Sequence, residues 1–360
     1  MSARHFMLLN WIKSMQMIKL MLSLTIAAML TFCGTDTVNE KETPEAIDID
    51  PFEINSRMYP GINLGNALEA PEEGDWGVTI QDDYFQIIKN AGFNHVRIPI
   101  RWSTHAAIDT PYTIDVLFIN RVKQVIDIAL ANNLYTVINI HHYEEIFQNP
   151  AGHKDRFLTL WQQIGTNFRD YPSSLVFEIL NEPHDNFTPE FWNQYFPEAL
   201  DIIRETNPNR TVIIGTAGWG GISALEQLQL PADDENLIVT IHYYEPFTFT
   251  HQGAEWVAGA DAWLGTTWSA TLNQVTDMKN HFDQIKAWAD GHNRPVYLGE
   301  FGAYGRADIE SRRLWTGHIV SQCRQHNFSW AYWEFCSGFG AWDPNSRTWH
   351  ELLLQALIQD

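Results

Sequence analysis

Short runs of β-forming residues alternate with longer segments of helical periodicity along most of the 360-residue chain. Eight runs are predicted strands, at residues 61–64, 95–98, 135–140, 175–180, 211–214, 237–241, 296–298 and 329–333. Predicted helices lie between them, at residues 80–91, 114–132, 154–169, 189–206, 271–290 and 309–327. This alternation indicates βαβ units and a parallel sheet, in the α/β class. Eight units in about 300 residues favour a closed (β/α)8 TIM barrel, and no Gly-x-Gly-x-x-Gly motif follows the first strand to suggest an open dinucleotide-binding sheet.

The first fifty residues differ in composition from the rest. Residues 1–33 contain no acid, and an apolar run at residues 20–32 follows three basic side chains, Arg4, Lys13 and Lys19. Such a run is typical of a signal peptide and is too short to span a bilayer comfortably. Cys33 and Gly34 resemble a bacterial lipoprotein cleavage site, so secretion to the periplasm or medium and lipid anchoring at Cys33 are both open. Residues 34–50 are acidic and are predicted to form a flexible linker to a single catalytic domain at residues 51–360.

Charge and aromatic content narrow the class of ligand. The chain has 44 acidic and 23 basic side chains, a formal net charge of -21, so it lacks the basic surface that nucleic-acid binding requires. It also has 15 Trp residues, and aromatic residues make up 13% of the chain. Flat rings with a polar edge suit sugars, which expose both CH faces and hydroxyls. Only three cysteines are present, which excludes a disulfide framework.

Polar side chains recur at the carboxyl ends of the predicted strands. Active sites of (β/α)8 barrels lie at this end, so these residues are expected to share one site. Seven of the eight strands contribute: Asn66, Glu69, Arg97, His141, His142, Asn181, Glu182, His242, Tyr244, Glu300, Trp333 and Glu334.

Two of these side chains, Glu182 and Glu300, end strands that face each other across a barrel mouth. Glycosidic bond cleavage requires such a pair, one carboxyl group protonated and the other ionised. Arg97, with His141 and Tyr244, is placed to hold one of them ionised. The same three side chains also fit simpler roles, as a barrel-interior salt bridge, a core histidine and ordinary packing. Sequence spacing does not measure the carboxylate separation, so retaining and inverting mechanisms are both open at this point.

Other chemistries have weaker support. Adjacent residues on a strand point to opposite faces, so His141 and His142 cannot bind one ion from a regular strand. The chain has no His-Glu-x-x-His motif and no Gly-x-Ser-x-Gly elbow. We therefore expect no metal and no cofactor, and we expect Cys336 to be a buried structural thiol.

Five motifs in order resemble glycoside hydrolase family 5, a family of retaining (β/α)8 glycosidases. They are VFEILNEP at 176–183, LGEFG at 298–302, HVRIP at 95–99, IHHY at 140–143 and IHYY at 241–244. The resemblance extends from about Asp50 to the C-terminus. Residues 61–71, 250–256 and 331–338 are most similar to a subgroup of endoglucanases that act on both β-1,4-glucan and β-1,4-mannan.

The resemblance implies roles for individual residues. Glu182 would be the acid/base and Glu300 the nucleophile, with Asn181 on the 2-hydroxyl of the sugar that is cleaved. The side chains around the carboxylates would be Arg97, His141, His242 and Tyr244. Contacts on the glycone side would come from Asn66, Glu69, His142, His251 and Trp256, and Trp333 would be the sugar platform. Trp219 and Trp342 are expected at the rim. Residues 217–219 (AGW) depart from the sequence pattern of this subgroup, so the role of the loop after the fifth strand stays undefined.

The resemblance therefore implies a monomeric, secreted or lipid-anchored endo-β-1,4-glycanase that cleaves by retaining double displacement. Its partner would be a β-1,4-linked polysaccharide, and the protein would contact a membrane only through the N-terminal lipid anchor. Two alternatives stay open at this stage, a strict β-mannanase and a non-catalytic polysaccharide-binding protein.

Overall fold

The computed structural model describes residues 50–358. Eight parallel strands close a barrel in chain order, β1 pairing with both β2 and β8. The strands are β1 Gly61–Asn63, β2 His95–Ile98, β3 Tyr135–Asn139, β4 Leu175–Glu178, β5 Val212–Gly215, β6 Leu237–His242, β7 Val296–Phe301 and β8 Ser329–Tyr332. A short antiparallel hairpin, β9 Trp342–Asp343 and β10 Thr348–Trp349, follows the barrel. The predicted (β/α)8 TIM barrel is confirmed.

Helices surround the barrel and cap its ends. They are α1 Pro51–Met58, α2 Tyr84–Asn90, α3 Val116–Ala131, α4 Glu144–Gln148, α5 Pro150–Phe168, α6 Pro189–Thr206, α7 Phe247–Thr250, α8 Leu272–His292, α9 Ile309–His326 and α10 Glu351–Ile358. Three 3₁₀ segments add to them, at Trp102–His105, Ile222–Gln227 and Ala260–Trp263. Within residues 50–358, no helix combines the length and apolar character that crossing a membrane requires. The predicted signal peptide, the Cys33 site and most of the linker lie outside the described residues.

Several element boundaries differ from the sequence expectation, among them the start of α2 and the end of β7. Helix α2 begins at Tyr84, four residues later than predicted, because Asp82 and Asp83 form a turn closed by the hydrogen bond from the Tyr84 N–H to the Gln81 carbonyl at 3.1 Å. Strand β7 runs on to Phe301, past the predicted end at 298, and its register with β8 shifts between Leu298 and Phe301. Glu300 therefore lies inside a strand rather than after it.

Helix α1 closes the amino-terminal end of the barrel. Asp50 caps it by accepting a hydrogen bond from the backbone N–H of Phe52 at 2.9 Å. Asn55 donates to the carbonyl of Val296 at 3.0 Å, which ties the helix to β7. Its apolar face joins a small buried cluster inside the barrel: Ile54, Met58, Val137, Val176, Ile213, Ile238, Tyr297 and Ala331. This end is a packed apolar layer, so ligand access is left to the carboxyl-terminal end.

The next layer of inward-facing residues is polar. Side chains alternate along a strand, so the positions two residues beyond the apolar layer face inward as well. Asn139 and Glu178 follow Val137 and Val176 in this way, and Arg97, the register partner of Val137 in β2, reaches Glu178 with its side chain. All three are buried. This polar layer forms the floor of the site.

Candidate active site

Glu182 and Glu300 come together at the carboxyl-terminal end of the barrel. Glu182 lies four residues beyond β4 in a left-handed backbone conformation with φ 43°, and Glu300 lies in β7. A carboxylate oxygen of each lies within 4.8 Å of the other. The Glu182 side chain is 19% exposed and that of Glu300 6%. The two predicted carboxylates thus form one pair, with Glu300 buried and Glu182 partly exposed.

Arg97 links Glu300 to the polar floor. Its Nη1 donates to Glu300 Oε1 at 2.7 Å, and its Nε and Nη2 hold Glu178 at 2.6 and 2.8 Å. Burial opposes the charged guanidinium, yet Glu178 and Glu300 outweigh it and raise the pKa of Arg97 well above its usual value. Nη2 also donates to Asn181 Oδ1 at 2.8 Å, which leaves the amide nitrogen of Asn181 free to face a ligand.

Sequence reasoning missed the role of Glu178. It is the one acid inside the apolar run of β4, and that interruption was the available signal. Arg97 forms an interior salt bridge with Glu178 and also contacts Glu300 of the carboxylate pair, because its planar guanidinium group binds two carboxylates at once.

Tyr244 and His141 flank Glu300 from other strands. The Tyr244 hydroxyl donates to Glu300 Oε2 at 3.0 Å. Burial and the nearby Glu300 charge raise the pKa of Tyr244 well above its usual value, so it stays a donor. His141 Nδ1 accepts from the amide of Asn139 at 3.1 Å, which directs the Nε2 hydrogen toward Glu300 Oε1, 4.0 Å away. Burial lowers the pKa of His141 well below its usual value, so this imidazole is neutral.

His242 bridges the two carboxylates. Its Nδ1 lies 2.6 Å from Glu182 Oε1 and 3.7 Å from Glu300 Oε2. Burial disfavours the charged imidazolium, but the Glu300 charge and the hydrogen bond to Glu182 prevail and raise the pKa of His242. His242 thus holds the Glu182 side chain in place from β6.

Glu182, His242 and Glu300 also have the donor types of a metal site, and within residues 50–358 they are the one group of this kind. The ligand atoms of these side chains already form hydrogen bonds or ion pairs, between Glu182 and His242 and from Arg97 and Tyr244 to Glu300. Arg97 lies 2.7 Å from Glu300, and an added cation would have to displace that charge or the His242 hydrogen bond. We therefore assign the group to acid–base chemistry. Cys336 is a free buried thiol, as expected.

Trp333 forms a flat wall beside the carboxylates. Its ring stacks parallel to His141 at 5.7 Å with an interplanar angle of 8°. Gly65 permits this position, because a Cβ there would lie 2.9 Å from the Trp333 ring. Trp333 is only partly buried, so one face remains open to a ligand.

Asn66 and Glu69 shape the turn after β1. The Glu69 carboxylate accepts from the backbone N–H groups of Asn66 and Ala67, the second at 2.9 Å. Glu69 is 1% exposed, and burial raises its pKa to about 7. Both Glu69 oxygens accept hydrogen bonds within this turn, whereas the Asn66 side chain is partly exposed at the mouth.

Three further predicted contacts line the walls. His142 packs edge-on against His141 at 4.8 Å and lies 3.5 Å from Glu144. His251 packs edge-on against Tyr244 at 4.9 Å, and burial lowers its pKa to about 4. Trp256 is exposed and touches His251 edge-on at 6.5 Å. All eleven predicted binding residues therefore lie toward the carboxyl-terminal end of the barrel, with Arg97 in the floor of the site.

The fifth loop presents an aromatic face next to Glu182. Trp219 stacks on His184 at 3.5 Å, and His184 Nδ1 bonds the carbonyl of Glu182 at 2.6 Å. Trp219 is 57% exposed, in agreement with a rim position. The same expectation for Trp342 is wrong, because that ring is buried and stacks on Phe335 at 4.9 Å.

Residues 55–338 match the family model for cellulase, glycosyl hydrolase family 5. The chain belongs to this family. This membership in a glycoside hydrolase family agrees with the motifs. Endoglucanase H of Acetivibrio thermocellus is 38% identical over 88% of this chain, which spans 34% of that relative's length. Thermotoga maritima Cel5A in complex with mannotriose is 56% identical, with a TM-score of 0.85 over 86% of this chain and 100% of its own. The same protein in complex with cellobiose gives the same values.

Proposed function

We propose that this family 5 member is a retaining endo-β-1,4-glucanase that also cleaves β-1,4-mannan. The separation of Glu182 and Glu300 carries the proposal. Retaining glycosidases hold their two carboxyl groups about 5 to 5.5 Å apart, and inverting ones about 6.5 to 9.5 Å to admit a water. Carboxylate oxygens within 4.8 Å of each other match the shorter, retaining separation and favour direct attack by Glu300.

In the proposed reaction Glu182 protonates the glycosidic oxygen while Glu300 attacks the anomeric carbon. The bond to the leaving chain breaks with its electron pair, and an ester bond to Glu300 forms. Glu182 is then a carboxylate and takes a proton from water, whose oxygen attacks the same carbon and releases Glu300. No oxidant, reductant or metal enters this balance.

The surroundings of the carboxylates support this assignment of roles. Arg97 and Tyr244 donate to the two oxygens of Glu300, which fixes its orientation as attack at a defined carbon requires. Glu182 is more exposed and is held at Oε1 by His242, so its other oxygen is free for proton transfer. Asn181 is placed by Arg97 with its amide nitrogen available for a sugar hydroxyl.

Two substrate classes are proposed because of what the relatives bind. Thermotoga maritima Cel5A structures contain mannotriose in one case and cellobiose in another. Mannose differs from glucose in an axial 2-hydroxyl, so a lost polar contact near Asn181 or His251 would cost about 1–3 kcal/mol and set the preference.

A reducing-sugar assay on carboxymethylcellulose, barley β-glucan, glucomannan and galactomannan tests the function. We expect release from the glucans and the mannans, abolished in Glu300→Ala. Activity on mannans alone would replace the proposal with a strict mannanase. Binding of cello-oligosaccharides with no release from any substrate would show a non-catalytic binding protein.

We also propose export of the chain through residues 1–33, with a lipid anchor at Cys33 or free secretion. The apolar run and its basic flank support export, and Cys33 with Gly34 supports anchoring. Mass spectrometry of the mature N-terminus after expression in a Gram-negative bacterium tests this. A diacylglyceryl adduct on Cys33 shows anchoring, an unmodified cleaved terminus shows secretion, and an intact residue 1–33 segment contradicts export.

A further inference from the structure

Trp76 is an exposed aromatic side chain near the barrel mouth to which the proposed reaction assigns no role. Trp76 is 40% exposed, although leaving an apolar indole ring in contact with water costs free energy. It lies in the connection between β1 and α2, on the same end of the barrel as Glu182 and Glu300.

The loop that carries Trp76 is held firmly. Glu73 binds the Arg121 guanidinium through both oxygens, at 2.8 and 2.9 Å, and accepts from the backbone N–H of Ile80 at 2.9 Å. Gly74 has φ 101°, and the N–H of Gly77 bonds its carbonyl at 2.9 Å, so the turn around Trp76 is closed. The ring is therefore presented on a fixed turn, as a preorganised binding surface requires.

Ring contacts connect Trp76 to the Trp333 wall. Trp333 stacks on His141 at 5.7 Å, His141 meets His142 at 4.8 Å, and His142 meets the Trp76 ring at 5.4 Å with an interplanar angle of 74°. The aromatic surface thus continues past His142, beyond the predicted sugar contacts.

Barrel topology gives the direction of this extension. Strand β4, which precedes Glu182, lies opposite β8, and β1 lies next to β8. The leaving chain departs beside the proton donor Glu182, so the glycone extends toward β8 and β1. Trp76 follows β1 and lies on the glycone side.

From these contacts we propose that Trp76 is a platform for a third glycone sugar, beyond the two nearest the cleaved bond. The proposal rests on the proposed function and adds its ligand length, namely three β-1,4-linked pyranoses on the glycone side. Their CH faces pack on an indole ring as flat apolar surfaces do.

The test compares release of nitrophenol from 4-nitrophenyl β-cellotrioside and β-cellobioside. We expect Trp76→Ala to lower the ratio of kcat/KM values, trioside over bioside, by about five-fold, and Trp76→Phe to restore most of it. Phe52→Ala is the matched control, since Phe52 is 43% exposed on α1 at the opposite end of the barrel. This control should leave the ratio unchanged.

Two results would overturn the subsite while the proposed function stands. One is wild-type kcat/KM on both substrates in Trp76→Ala, and the other is an equal fold-loss of kcat/KM on both, which would show that Trp76 only supports His142. If the wild type releases nitrophenol from neither substrate, the proposed function fails, and calorimetric titration decides on the subsite alone. Tighter binding of cellotriose than cellobiose, lost in Trp76→Ala, would support it, and equal binding would refute it.

Discussion

The Tyr244 hydroxyl donates to Glu300 Oε2 at 3.0 Å, across the neighbouring strands β6 and β7. The other carboxylate oxygen is bound by Arg97, so Glu300 is held from two sides. One neutral donor and one cation therefore orient this carboxylate, and they contribute differently to activity and to stability.

Replacing Tyr244 by Phe removes the neutral donor and keeps the ring. A hydrogen bond to a charged group contributes about 1.5–3 kcal/mol, so kcat for an aryl cellobioside should fall roughly 10- to 150-fold. Steady-state kinetics measures this fall in kcat. The control is Tyr59→Phe, because Tyr59 is exposed to solvent. A Tyr244→Phe enzyme with wild-type kcat would remove Tyr244 from the orientation of Glu300.

Replacing Arg97 by Ala leaves Glu178 and Glu300 buried without their cation. Loss of one partner of a buried pair destabilises a protein by about 3–5 kcal/mol, so the free energy of unfolding should fall by that order. Urea denaturation measures it. Arg313→Ala, which breaks an exposed pair with Glu310, should leave the midpoint almost unchanged. Equal midpoint shifts in the two variants would contradict the role of Arg97 in the floor.

His95 gives the fold a defined pH dependence. Burial lowers the pKa of His95 to about 3, and its ring nitrogens contact the Met58 carbonyl and the Tyr297 hydroxyl. Below pH 6.5 the unfolded chain takes up a proton that the folded chain refuses, so stability falls as pH drops toward 3. Between pH 6.5 and 5 this lowers the free energy of unfolding by about 1.6 kcal/mol.

The variant His95→Gln tests this dependence. Its free energy of unfolding should fall about 1.6 kcal/mol less than that of the wild type between pH 6.5 and 5, because all other titrating groups are shared. Urea denaturation at both pH values supplies the comparison. An identical loss in the two proteins would show that His95 accepts its proton in the folded state.

Azide distinguishes the two carboxylates. In Glu300→Ala, azide enters the vacated space and displaces the aryloxide of an activated aryl cellobioside, which gives the α-glycosyl azide. In Glu182→Ala, Glu300 still expels the aryloxide, and azide then opens the glycosyl ester to give the β-glycosyl azide. Product anomers are identified by NMR. Exchanged anomers would reverse the assigned roles.

The barrel and the carboxylate pair were predictable because they follow from local patterns. Runs of β-forming residues, segments of helical periodicity and strand-end polar residues each depend on a few neighbouring residues. Glu182 and Glu300 were identified in this way, each at the end of an apolar run.

The contacts between strands were not predictable in the same way. Arg97 binds Glu178 and Glu300, which are 81 and 203 residues away in sequence, and the barrel closure alone brings them together. Trp342 was expected at the rim as an aromatic sugar contact, yet it is buried and stacks on Phe335. Helix α1 was also missed, since its eight residues show their apolar face only against the barrel interior.

Proton NMR of the first product tests the central claim most directly. A cello-oligosaccharide is hydrolysed in D2O, and the anomeric signals of the newly formed reducing end are followed before mutarotation. Two displacements at one carbon, by Glu300 and then by water, predict that the β-anomer appears first and the α-anomer only later. Initial appearance of the α-anomer would show a single displacement by water and would contradict the assignment of Glu300 as nucleophile.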